Sequence, residues 1–215
     1  MSQTIPTITF ISTIHKETGM CNADELCVIL EIVKPDVVFL EALEDTYSKY
    51  DVIRFSKFEV YHDKLEIKAL QKYGQANPFD YVPVLNDGLS EHFDEKYSSL
   101  GEYNETQEIA DNYNSIASEK GFSFLNSTGS IDVQRHMRML ESSLLNNSKL
   151  DDLVTKSIGI YEDSMLQNIY SYCSENQFET AVFLCGVAHR SSIIEKIELY
   201  KSQEELDLNW IVFGD

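Results

Sequence analysis

Apolar residues along this chain fall into two spacings, short unbroken runs and longer stretches that repeat every three to four positions. Thr7 to Thr13 (TITFIST) is short and rich in β-branched residues, which predicts a strand. Asn22 is a helix-capping residue type, and behind it Ala23, Leu26, Cys27, Leu30 and Val33 recur at helical spacing until Pro35. VVFLE, closing on Glu41, is apolar on both faces, as a central strand of a parallel sheet is. Strand, helix and strand together make a βαβ unit, with a right-handed crossover expected.

The same two spacings return near the end of the chain. Thr180 to Cys185 (TAVFLC) reads as a buried strand ending at Gly186, and Ile193, Ile194, Ile197 and Tyr200 predict the helix after it. LNWIVF, from Leu208 to Phe213, predicts a last strand. Between these ends, Tyr47 to Tyr73 fits one or two helices. Phe79 to Leu85 (FDYVPVL) fits a strand that Pro83 places near an edge or bulge, followed by the turn Asn86-Asp87-Gly88. Helices are predicted over Thr106 to Lys120, Ile131 to Leu145 and Leu150 to Asn176. The stretch from roughly residue 88 to 128 is polar, acidic and tyrosine-rich, with too few aliphatic residues for its own core. It reads as an insertion or cap within one α/β domain spanning 1–215. The fold class is therefore α/β, a mixed, largely parallel central sheet flanked by helices, with a helical insertion in the middle.

Composition narrows the partners. With 43% hydrophobic and 25% charged residues the chain can bury a substantial core. A formal net charge of −19 argues against nucleic acid and against an anionic membrane surface, because both are bound through clustered Lys and Arg. No apolar run approaches the roughly 20 residues that span a bilayer. MSQTIPTITFIST carries neither a basic leader nor a small-residue cleavage pattern, so a cytoplasmic location is expected. Cys21, Cys27, Cys173 and Cys185 have no CxxC spacing and read as buried free thiols, and the sequons at Asn104, Asn126 and Asn146 read as chance matches.

Three strand-like runs end in polar groups: the first leads to His15, the second to Glu41, and the fourth to Gly186-Val187-Ala188-His189. Ligands of open parallel sheets bind outside the carboxyl ends of the strands. Neighbouring strands lie about 4.8 Å apart, so such side chains converge if their strands are adjacent. Two imidazoles and a carboxylate suit a Zn, Mn or Co ion with an open position for water. They equally suit a metal-free site in which one His is general base and the carboxylate orients it. There is no HExxH, no GxSxG and no glycine-rich phosphate loop. His62, His92 and His136, and the arginines Arg135, Arg138 and Arg190, read as surface residues.

FISTIHKETGMCNADELCVILEIVKPDVVFLEAL and, far downstream, VFLCGVAHRSSIIEKI resemble a superfamily that includes TraB pheromone-shutdown proteins, Tiki metalloproteases, erythromycin esterases and haem-binding ChaN-like proteins. Its pattern is a GxxH after the first strand, a Glu closing a PDvvflE strand, and a second GxxH near the end. Gly186 and His189 match the second motif and Glu41 the Glu, while Ser12 stands where the first motif has Gly before His15. The segment YEDSMLQNI occupies the place of an Arg-containing helix motif but has no Arg, and Glu162 is its only candidate. The resemblance implies two similar halves, each led by a strand and its His. It does not fix the function, since that superfamily spans metalloproteases, esterases and binding proteins; His15, Glu41 and His189 at strand ends point first to a metal-dependent hydrolase of the peptidase or esterase type, acting on a peptide or small molecule. The alternatives are a metal-free esterase and a non-catalytic protein binding haem or a peptide.

Overall fold

The computed structural model describes residues 5–44, 56–101, 103–145, 147–204 and 206–214. In chain order these form β1 (Thr7–Thr13), α1 (Ala23–Val33), β2 (Val37–Leu43), α2 (Leu65–Tyr73), β3 (Asp80–Leu85), α3 (Glu91–Leu100) and α4 (Asn104–Lys120). There follow α5 (Phe122–Leu125), α6 (Thr128–Leu144), α7 (Ser148–Glu175), β4 (Thr180–Gly186), a single 3-10 turn (Val187–His189), α8 (Arg190–Gln203) and β5 (Asn209–Val212). The sheet has five strands in the order β3-β2-β4-β1-β5, and every pairing in it is parallel. The α/β class and the largely parallel sheet expected from the sequence are what the structure shows.

Local chemistry explains several boundaries. Asn22 caps α1 by accepting the Glu25 N–H, and the helix stops at Lys34, which adopts a left-handed conformation (φ 51°) just before Pro35. β3 lies at the edge of the sheet, the position its proline predicts, and its pairing with β2 is irregular between Leu40 and Leu43. Of the helices expected between Tyr47 and Tyr73, α2 is present, and residues 45–55 lie outside the described ones. The acidic stretch holds α3 as well as the anticipated α4, which begins at Asn104 rather than Thr106.

Alternate strand residues face two apolar layers. Ile11, Val38, Leu40, Val182 and Leu184 pack with α1, α2, α4 and α5 on one face. Ile8, Phe10, Val37, Phe39, Phe183 and Trp210 pack with α7 and α8 on the other. Phe10, Phe39 and Phe183 are fully buried, each contributing about 2–3 kcal/mol of transfer free energy. Tyr113, Ala117, Phe122, Phe124 and Leu125, all from the acidic stretch, join the first layer rather than forming a core apart. Among the described residues, no helix is long and apolar enough to cross a membrane.

Candidate functional site

Because β4 lies between β2 and β1, the three strand ends that carry Glu41, His189 and His15 are neighbours. Thr13, at the end of β1, is in register with Gly186, at the end of β4. The adjacency on which the sequence argument depended is therefore present, and each polar side chain can be followed to its partners.

Glu41 sits near the end of β2 and is tightly held. Its Oε2 accepts the Gly186 N–H at 2.6 Å and the Cys185 thiol at 3.2 Å, and its Oε1 accepts the Tyr161 hydroxyl at 2.8 Å. A Cβ on residue 186 would stand 3.2 Å from Oε2, so the glycine is what lets the carboxylate come so close to the backbone. Burial pushes the Glu41 carboxyl up, but His189 and these three donors outweigh burial and leave it below the ordinary carboxylate range. Burial and the Glu41 charge push the Tyr161 hydroxyl far up, so it remains a donor at neutral pH. The Cys185 thiol is raised for the same reasons and is no nucleophile.

His189, in the turn after β4, is buried. Its Nδ1 lies 2.8 Å from Glu162 Oε1, its ring stacks on Tyr161 with centroids 5.4 Å apart, and its Nε2 is 3.6 Å from Glu41 Oε1. An ionised carboxylate only accepts, so Glu162 fixes the proton on Nδ1 and leaves Nε2 facing Glu41. Ser192, one turn into α8, donates its hydroxyl to the other Glu162 oxygen.

His15 has a carboxylate of its own. Its Nδ1 lies 3.0 Å from Oε1 of Glu66, on α2, and the same oxygen accepts the Thr13 hydroxyl at 2.7 Å. Glu66 is buried, and its Oε2 has no hydrogen-bond partner among the described residues. The Glu66 hydrogen bond raises the His15 pKa above the ordinary histidine value. Partial burial and Lys64 oppose that shift, while the Glu66 and Glu41 charges support it. Two carboxylate–imidazole pairs thus stand at one edge of the sheet. The first reaches it from the α7 face and the second from the α2 face.

Of the four site residues named from the sequence, the structure brings Glu41, His189 and Glu162 into one hydrogen-bonded group and sets His15 beside it. Glu66 and Tyr161 had no distinguishing signal, since each is one polar residue in an otherwise ordinary helical pattern. Arg190, expected at the surface, is instead buried. Its guanidinium donates to Asn126 Oδ1 at 3.0 Å, to the Asn126 carbonyl at 2.8 Å and to the Phe213 carbonyl at 2.9 Å. Arg138 donates to the Ala188 carbonyl, beside His189. Cys21, Cys173 and Cys185 are buried and Cys27 is half-buried, all four as free thiols.

The metal expectation can be tested on the donors. Glu41 already accepts three hydrogen bonds, while each imidazole gives Nδ1 to a carboxylate and keeps Nε2 open, as metal-bound histidines do. Among the described residues, no group of three or more His, Cys, Asp and Glu is gathered closely enough to hold an ion. In this arrangement His15, Glu41 and His189 are not gathered into a three-donor set. Compared with family models, curated proteins and solved structures, the chain matches none.

Proposed function

We propose that this protein is a hydrolase of esters or amides in small molecules or peptides, working by general-base activation of water at His189. The observation that carries the proposal is the separation of 3.6 Å between His189 Nε2 and Glu41 Oε1. That is too long for a direct hydrogen bond, and it leaves both atoms open on one side to a water that contacts the two together, off the line that joins them. A water there would give one hydrogen to Nε2 and the other to Glu41. As its oxygen attacks a carbonyl carbon, Nε2 takes the proton and the imidazolium that forms is stabilised by Glu162. Glu41 aims the water, and Tyr161 and Gly186 hold Glu41. Positioned bases of this kind contribute about 10²–10⁴ in rate. The resemblance to the superfamily containing erythromycin esterases and Tiki metalloproteases favours the same reaction class.

The test is hydrolysis of a panel of ester and amide substrates with and without chelator. Activity should survive chelation and fall at least a hundredfold in His189→Gln. Full loss on chelation, with recovery on adding Zn, Mn or Co, would replace this reading with the metal-dependent one. A Soret band on haem titration that vanishes with the histidine, and no turnover at all, would make the protein a binder.

A further inference from the structure

We propose that the cleft between the turn after β3 and the overhanging half of α7 holds the aliphatic acyl chain of a small, uncharged ester or amide. This rests on the hydrolase reading above and names the substrate class of the same site.

The cleft exists because α7 is too long for the sheet it covers. Its 28 residues extend for about 42 Å, whereas the seven residues of β4 reach about 23 Å. Met165, Leu166, Ile169 and Cys173 pack on the strands, so the half of α7 before Tyr161 runs on past the edge where Glu41 and His189 stand. The end of β3 is moored to the same helix, since Asn168 donates to the Val84 carbonyl at 3.0 Å and to Asn86 Oδ1 at 2.9 Å. Between the overhanging half-helix and the turn Asn86-Asp87-Gly88 lies a cleft of about 510 Å³, outside the carboxyl end of β3.

Tyr161 joins this cleft to the reacting groups. It lines the cleft, gives its hydroxyl to Glu41 at 2.8 Å and stacks its ring on His189. A group held against Tyr161 thus touches a residue that itself touches both the base and the carboxylate that aims its water.

Three properties of the walls select the occupant. Size comes first: clefts of roughly 300–1,000 Å³ take small molecules, which favours these over a peptide. The second is the aliphatic wall. Leu153 and Ile160 lie two turns apart on one face of α7, with Tyr161 next in the chain, and they are 39% and 62% exposed. An acyl chain laid along that face removes apolar surface from water on both partners. Charge is the third. The chain as a whole carries −19, yet in the cleft Lys156 offsets Asp87, and Asp163 is paired with Lys196. A balanced cleft in an acidic molecule draws in neither anions nor cations, and an uncharged chain enters it at the least electrostatic cost.

Chain length is the variable that reads this cleft. 4-Nitrophenyl acetate, butyrate and hexanoate are to be compared for the wild-type protein, for Ile160→Glu and for Ile32→Glu, a control exposed on α1 across the sheet. With the wild type, kcat/KM should rise about two- to fourfold for each added methylene, mainly through KM. Ile160→Glu should flatten the series and cost the hexanoate at least about tenfold, while Ile32→Glu keeps the wild-type slope. Both positions face solvent, so unfolding midpoints should stay close to that of the wild type. Binding is read separately with 2-octanone, which has the chain and the carbonyl but no bond to hydrolyse. It should shift the amide NMR signals of Gly88 and Ile160 in the wild type and in His189→Gln alike, and leave Ile160→Glu unshifted. A flat series from an active wild type, or equal losses on all three esters in Ile160→Glu, would overturn the cleft assignment and leave the base at His189 standing. No turnover of any ester would overturn the hydrolase reading; the 2-octanone shifts would then uphold the cleft as an aliphatic site, and their absence would overturn it too.

Discussion

The two histidine–carboxylate pairs are built from the same parts and finished differently. Around His189 every polar atom of the carboxylates has a partner. Glu162 is shared with Ser192, and Glu41 is clasped by Tyr161, Gly186 and Cys185. Around His15 the carboxylate is equally buried, yet one oxygen has no partner among the described residues and the imidazole stands half in solvent. Identical residue types therefore differ in hydrogen-bond satisfaction and in access to solvent, set by what surrounds them rather than by what they are.

The largest way to break the contrast is Glu162→Ala. It leaves His189 Nδ1 and the Ser192 hydroxyl buried without their acceptor, and should cost about 3 kcal/mol in urea unfolding. Tyr161→Phe keeps the ring stacked on His189 and removes only the donor to Glu41, with an expected loss of about 1.5–2 kcal/mol. Because the folded Glu41 pKa is depressed, its contribution is present above the ordinary carboxylate value and is lost as pH falls through the folded value. Acid unfolding of Tyr161→Phe should therefore begin at a higher pH than in the wild type, as fluorescence followed against pH would show.

The smallest effect is also the most diagnostic. The raised His15 pKa means that its pairing with Glu66 stabilises the fold fully below the ordinary histidine value and ceases to do so as pH rises through the folded value. Glu66→Gln should thus destabilise by less than about 1 kcal/mol at pH 6, solvent screening at this exposed ring keeping the figure small. At pH 9 it should be neutral or stabilising, because the substitution removes a buried charge whose cation has gone. Urea midpoints across that range would reveal the crossover. A constant difference would mean that His15 does not lose its charge against Glu66 over that range.

How much of this was legible from residue order follows from the kind of signal each feature leaves. β1 and α1 have boundaries dictated by local chemistry, a β-branched run in one and an Asn22 cap with Pro35 in the other, and both were readable to the residue. His15, Glu41 and His189 were readable because strand ends are where parallel sheets place polar groups. Glu66 and Tyr161 were not, because their importance lies in which strand end they lean over, a matter of packing between α2, α7 and the sheet. Arg190 looked like a surface charge for the same reason. Two of its acceptors are the backbone carbonyls of Asn126 and Phe213, which have no side-chain identity to read, and the Asn126 amide oxygen is likewise far away in the chain.

Asn126 has a consequence for how the molecule can move. β5 accompanies β1 only as far as Phe10, and beyond it the Asn126 amide takes the ladder's place, accepting the Ser12 N–H at 2.7 Å and donating to the Ser12 carbonyl at 3.0 Å. One side chain thus acts as a surrogate strand, and it belongs to the far end of the acidic, helical stretch. That end cannot swing away from the sheet without breaking both bonds to the backbone of β1 beside the candidate site. Any breathing of this stretch must therefore hinge elsewhere. The Ser12 amide should exchange with deuterium on the timescale of the central strands rather than that of a loop, making the cap and the sheet a single cooperative unit at this point.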